Sequence, residues 1–145
     1  MLDFVYLETK NFPLVIEAKL NKLEEVLTLL KNDMIKHHVS ADGQFNMITA
    51  AEEIFANIAS YAYENEEGTV EIKTSCQNNI YSVCFKDRGK KYNPLKNQDP
   101  DTTTAYKDRD IGGLGVFLAK KVSDQISYRY QNGWNILTVG VQVNK

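Results

Sequence analysis

Cysteine is scarce: Cys76 and Cys84 are the only two in 145 residues, with no CxxC spacing and no histidine partner. A disulfide framework and a zinc-type cluster are therefore both excluded, and the two thiols are expected to be reduced. Histidine is equally sparse. His37 and His38 stand together where a helix is expected to end, and a positively charged imidazole there suits the carbonyl end of the helix dipole. A surplus of positive charge is also missing: 17 Lys and Arg face 19 Asp and Glu, for a net charge of −2. Nothing is available to neutralise a phosphate backbone, so nucleic acid is not an expected partner. No apolar run approaches the roughly 20 residues of a membrane span. Met1 to Leu7 has neither a basic start nor a cleavage site, so a cytoplasmic location is expected.

What is present fits one domain: 43% hydrophobic and 25% charged residues over 145 positions. Residues 1–13 hold a β-like run, Phe4 to Leu7, and then Pro13, and read as an N-terminal extension. Leu14 to Ala18 is a strand. Asn21-Lys22-Leu23-Glu24 has the form of a capping box, followed by an apolar stripe of Leu23, Val26, Leu27, Leu30, Met34 and Ile35 that predicts a helix to about His38. Ser40-Ala41-Asp42-Gly43 breaks that helix, and a second is expected from Gln44 to about Tyr63, with Met47, Ala50, Ala51, Ile54, Phe55, Ile58 and Ala62 on its apolar face. Thr69 to Cys76 and Ile80 to Lys86 alternate as a hairpin about Asn78-Asn79, which sets Ile72 opposite Phe85 and Thr74 opposite Val83. Asp87 then has the parity of the inward-facing residues. Residues 88–111 are polar and without period, as in a lid. A third helix opens at Gly112-Gly113-Leu114-Gly115 and carries Val116, Leu118, Ala119 and Val122. Two more strands, Gln125 to Tyr130 and Trp134 to Val143, flank a Gln131-Asn132-Gly133 turn. The order predicts an α+β two-layer sandwich: a mixed, mainly antiparallel sheet covered on one face by three helices.

Three short motifs have chemical content. Glu53 and Asn57 lie four apart on a helix, ~6 Å along its axis and on one face. A carboxylate there can accept a proton from an attacking hydroxyl, and an amide oxygen can complete the shell of a magnesium ion held by phosphates. Alone, such a pair is more often a solvated helix face. Asp87-Arg88-Gly89 follows a strand, where a buried carboxylate can accept the exocyclic amine proton of adenine and the glycine leaves room for the base. Alone, it is a polar turn. Gly112 to Gly115 opens a helix, where free N–H groups and the dipole favour a phosphate, although it lacks the Lys-Ser/Thr of a P-loop and the strand-to-helix form of a dinucleotide site.

Taken together, in this order and spacing, the motifs resemble the histidine-kinase-type (GHKL) ATPase superfamily with its Bergerat fold, and within it the small anti-sigma-factor serine/threonine kinases. The resemblance covers residues 14–145. It implies an ATP-binding domain in which Glu53 is the general base, Asn57 the Mg²⁺ ligand, Asp87 and Gly89 the adenine box, and Gly112, Gly113, Leu114 and Gly115 the phosphate turn beneath the lid. It also implies an anti-anti-sigma partner with a STAS domain as phosphoryl acceptor, a sigma factor as binding partner, regulation of transcription, and a homodimer. Arg109 would reach the γ-phosphate if the lid closes, or else is a solvated lid residue. One departure stands out: the superfamily's adenine box is commonly D-x-G-x-G, and here Lys91 holds the second glycine position, followed by Tyr92. Lys91 then reaches a phosphate or solvent, and Tyr92 is a candidate to stack on adenine. The alternative to a kinase is a module that ATP or ADP gates for protein binding without phosphoryl transfer.

Overall fold

In a computed structural model, residues 11–64, 66–96 and 116–144 are described. Strand β1 (Leu14–Glu17) leads through a short 3-10 turn, Leu20–Lys22, into helix α1 (Leu23–Lys36) and then helix α2 (Ala41–Tyr61). Strands β2 (Thr69–Gln77) and β3 (Ile80–Asp87) form the hairpin, a second 3-10 turn covers Pro94–Lys96, and helix α3 (Phe117–Val122) precedes strands β4 (Gln125–Gln131) and β5 (Trp134–Gln142). The strands make one sheet in the order β1-β2-β3-β5-β4, and every pairing is antiparallel. The expected two-layer α+β architecture is present, built from the hairpins β2–β3 and β4–β5 joined by the β3–β5 pairing, with β1 added along β2. None of the described helices is long and apolar enough to cross a membrane.

The turns follow from residue chemistry. Asn78 and Asn79 adopt φ of 54° and 65°, and Asn132-Gly133 adopt 54° and 84°. Two successive left-handed residues match the twist of a hairpin, and Asn and Gly tolerate that region best. The hairpin register is the one anticipated, Ile72 opposite Phe85 and Thr74 opposite Val83. Alternation therefore sends Val70, Ile72, Tyr81, Val83, Phe85, Leu137, Val139 and Val141 into one core with Leu30, Met34, Met47, Ile54 and Phe55 from the helices. Fully burying a side chain of this size contributes about 1.5–3 kcal/mol. Cys76 packs against this core, whereas Cys84, paired with Lys73, has the parity of the opposite face, so the two thiols are free. On that open face Lys86 and Arg88 lie 4.8 and 4.3 Å from the Trp134 ring.

Three sequence expectations change. No side-chain cap bond forms at the start of α1, where Asn21 falls inside the 3-10 turn and Lys22 occupies the N-cap, so the expected capping box is absent. Ser40 caps rather than breaks: its Oγ accepts the Gly43 N–H at 3.0 Å, and α2 starts at Ala41, three residues earlier than its periodicity indicates. On α1 the last turn presents Asp33, not Ile35, to the interior; Ile35 is 60% exposed and Asp33 7%. Tyr81 explains the exchange, because its hydroxyl donates to Asp33 Oδ2 at 2.6 Å. The expected fit of His37 to the helix end takes a specific form: its Nδ1 lies 2.9 Å from the Asp33 carbonyl and 3.6 Å from the Asp33 carboxylate.

Candidate functional site

The ends of β3 and β5 lie side by side, and the register sets Asp87 directly opposite Asn135. Both are buried, at 5% and 6% exposure, on the helix-covered side of the sheet. A cleft of about 200 Å³ opens above them, walled by Asn57, Ile58, Tyr61 and Ala62 of the α2 end, by Tyr92 and Pro94 of the turn after β3, by Val116, and by Tyr128. That volume is below the roughly 300–1,000 Å³ of a site enclosing a whole drug-sized ligand. It suits a flat ring fragment with the rest of its molecule extending outward.

Asp87 reaches this cleft because β3 alternates strictly up to its last residue. Its Oδ1 accepts from the Gly89 N–H at 2.9 Å and from Asn135 Nδ2 at 3.0 Å. Among the described residues nothing donates to Oδ2. Burial pushes the Asp87 carboxyl above the usual aspartate range, and the bonds from Asn135 and Gly89 oppose that rise. The result is a half-satisfied carboxylate at the floor of an apolar cleft, suited to accept one further N–H.

Gly89 is required by packing, whatever its motif indicates. A Cβ at this position would lie 2.2 Å from the Ala62 carbonyl oxygen and 2.7 Å from the Ala62 Cβ. The turn can run this close to the end of α2 only without a side chain, and Lys90 N–H uses the approach to donate to Ala62 O at 2.8 Å. The side on which a Cβ would stand is taken by the end of α2. Lys91, at the position of the missing second glycine, is exposed with its ammonium 5.0 Å from the Tyr130 ring. Tyr92 does line the cleft.

Asn57 lines the cleft as well, and its amide makes no hydrogen bond to another described residue. Glu53, one turn earlier, faces elsewhere. Its Oε1 accepts from the Ala119 N–H at 2.8 Å and its Oε2 from the Leu118 N–H at 3.1 Å, so the carboxylate caps the start of α3. Partial burial raises the Glu53 carboxyl above the usual range, opposed by the bonds from Ala119 and Leu118. Leu118, one of the apolar residues of that helix, is 47% exposed. The structure thus gathers Asn57, Asp87 and Tyr92 at one cleft and holds Glu53 of α2 against the start of α3. Arg109, Gly112, Gly113, Leu114 and Gly115 lie outside the described residues.

Two residues of this site are absent from the sequence motifs. Asn135 donates to Asp87 and to the carbonyls of Gly89 (3.3 Å) and Lys90 (3.0 Å), and its Oδ1 accepts from Tyr92 N–H (3.1 Å) and Tyr128 OH (2.5 Å). Tyr63 OH donates to Thr69 O at 2.6 Å and accepts from Arg88 N–H at 2.8 Å, pinning the end of β3 to the start of β2. An isolated Asn in an apolar strand was the available signal for the first: at the centre of a sheet such a side chain requires partners.

With this geometry established, known proteins give it context. Serine/threonine-protein kinase BtrW of Bordetella bronchiseptica is 23% identical over 134 residues, which cover 92% of this chain and 94% of BtrW. Among solved structures, the RsbU and RsbW domains of Rv1364c from Mycobacterium tuberculosis superpose with a TM-score of 0.62 at 13% identity, over 90% of this chain but only 32% of that one. The catalytic domain of histidine kinase ThkA gives a TM-score of 0.55 at 17% identity, covering 90% of this chain and 96% of that one. These structural likenesses establish the fold. The model of the histidine kinase-like ATPase domain matches residues 16–141, spanning β1 to β5, and the chain belongs to that family.

Proposed function

We propose that this protein is an ATP-binding anti-sigma regulatory factor with serine/threonine protein kinase activity toward a STAS-domain anti-anti-sigma partner. The observation that carries the nucleotide reading is Asp87: a buried carboxylate lining a ring-sized cleft, with one oxygen bonded and the other engaged by no described residue. Adenine offers the donor that the free oxygen lacks, an exocyclic amine, and apolar walls to either side suit its faces. Asn57 stands at the same cleft, its amide engaged by no other described residue. Among the described residues no group of three His, Cys, Asp or Glu gathers as a metal cage. That fits magnesium, which is commonly held by nucleotide phosphates with one or two protein oxygens, and Asn57 would supply one. Bound there, the ion would neutralise phosphate charge. The phosphate turn Gly112 to Gly115 and Arg109 are assigned to the same function from their motif. The kinase element is supported by BtrW, a serine/threonine-protein kinase matched over nearly its whole length. In this reading Glu53 accepts the proton of the serine or threonine hydroxyl as the γ-phosphoryl group is transferred.

One observation favours a second reading, a nucleotide-gated binding module. Glu53 is engaged by Leu118 and Ala119, one N–H to each carboxylate oxygen, which holds it at the start of α3 and lowers its readiness to take a proton. If it stays there, its role is to anchor α3, and ATP acts only by reshaping the surface around the cleft. The test is transfer of labelled γ-phosphate to a panel of STAS-domain proteins by the wild type and Glu53→Gln. Phosphorylated serine or threonine with the wild type, and its loss with unchanged ATP affinity in the variant, supports the kinase. ATP-dependent partner binding without transfer in either form supports the switch.

A further inference from the structure

We propose that Asn135 is the positioning residue of the nucleotide cleft, fixing both the aim of Asp87 and the course of the turn that departs from the glycine-rich pattern. This inference rests on the nucleotide reading above. The amide is 6% exposed and surrounded in a way that allows one orientation only. Around Nδ2 lie a carboxylate oxygen and two carbonyls, all acceptors, and around Oδ1 lie a backbone N–H and a phenol. One side chain on β5 therefore ties together β3 at Asp87, the turn at Gly89, Lys90 and Tyr92, and β4 at Tyr128.

Two consequences follow for ligand recognition. The bond to Asp87 Oδ1, with that from the Gly89 N–H, fixes the rotation of the carboxylate and leaves Oδ2 as its free acceptor. The bonds to the turn act where Lys91 replaces a glycine: the neighbouring carbonyls of Gly89 and Lys90 and the N–H of Tyr92 are all held from below, so Tyr92 is delivered to the cleft wall without that glycine's freedom. Preorganisation of this kind raises affinity by removing the cost of ordering the turn on binding.

A residue that aims Asp87 has a readout that a purely structural residue lacks, namely discrimination at the 6-position of the purine. Calorimetric titration of ATP and of inosine triphosphate, which carries a 6-oxo group in place of the amine, into the wild type, Asn135→Ala and Asn135→Thr gives the test. Thr keeps a donor for Asp87 but is too short to hold the turn as well. If Ala disrupts folding, as judged by thermal unfolding, Thr alone serves. The expected result for Asn135→Ala is a fall in ATP affinity of about tenfold, a smaller fall for inosine triphosphate, and so a reduced preference for ATP; Asn135→Thr, which keeps a donor for Asp87, should show the same changes in weaker form. The acid limb of ATP binding should also move to higher pH, because removing the Asn135 bond removes the largest influence that keeps Asp87 ionised. Tyr61 and Glu64 at the end of α2, Lys90 and Tyr92 of the turn and Tyr128 of β4 line the same cleft as Asp87, Tyr63 feels its charge, Arg88 follows it in the chain, and all are common to all forms, so the movement isolates Asn135. Equal affinity losses for both nucleotides, or no loss, would overturn the inference while wild-type ATP binding stands. No ATP binding by the wild type would overturn it together with the nucleotide reading.

Discussion

Asp87 carries its charge where burial penalises it, and that penalty has a measurable sign. A carboxyl whose pKa is higher in the folded than in the unfolded state binds protons more tightly when folded. Its contribution to stability is greatest below the unfolded pKa and is lost as pH rises through the folded one. Asp87→Asn removes that cost and keeps an oxygen for Gly89 N–H and Asn135, so its melting temperature at pH 7 should be equal to or above that of the wild type. ATP affinity should collapse in the same variant. Differential scanning calorimetry and ATP titration check the two halves, and a variant that melts well below the wild type would show that the charge is structural. Gly89→Ala tests the neighbouring position. Its Cβ meets backbone and Cβ of Ala62, neither of which can rotate away, so a loss of about 1–3 kcal/mol is expected in urea unfolding. At this scale the inward parity of Asp87 was legible from strand alternation, and the role of Gly89 was not, because contact with Ala62 depends on where α2 ends in space.

Helices α1 and α3 each depend on a polar contact that crosses from one element to another. Tyr81 on β3 reaches Asp33 on α1, and burial pushes the Tyr81 phenol up, with the Asp33 bond and charge adding to the rise. Tyr81→Phe would take from Asp33 Oδ2 its hydrogen bond and leave His37 Nδ1 at 3.6 Å as the remaining polar neighbour, at a cost of about 1–3 kcal/mol. Urea unfolding should detect this, with ATP affinity unchanged because the pair lies outside the cleft. At α3 the capping carboxylate is Glu53 of α2. Glu53→Ala should destabilise by about 1 kcal/mol and accelerate amide hydrogen exchange at Leu118 and Ala119 above the general rise, whereas Glu53→Gln retains part of the protection. Apolar periodicity located α1 and α2 within a few residues. It could not assign Asp33 to the interior or Ser40 to a cap, since each depends on a partner: Tyr81 on a strand 48 positions away for the first, the Gly43 N–H for the second.

Across the whole molecule, the hairpin register and the two-layer arrangement were readable because alternation, Asn-rich turns and helical stripes all favoured the same fold. The site was legible as far as its parts lie in local motifs: Glu53 and Asn57 stand one turn apart on a helix and Asp87 opens its own tripeptide at a strand end, whereas Asn135 is assembled only by the pairing of β3 with β5. Folding of that sheet over the helices is what creates the cleft, so core and function are linked. Phe55→Ala, which empties a fully buried position, should cost about 3–5 kcal/mol and, by loosening α2, weaken nucleotide binding as well. The most direct test of an ATP site at Asp87 and Asn57 is calorimetric titration of ATP with and without Mg²⁺ into the wild type, Asp87→Asn and Asn57→Ala. The expected result is binding by the wild type that weakens without Mg²⁺ or Asn57 and is abolished in Asp87→Asn, and ATP binding of equal strength in the wild type and Asp87→Asn would contradict it.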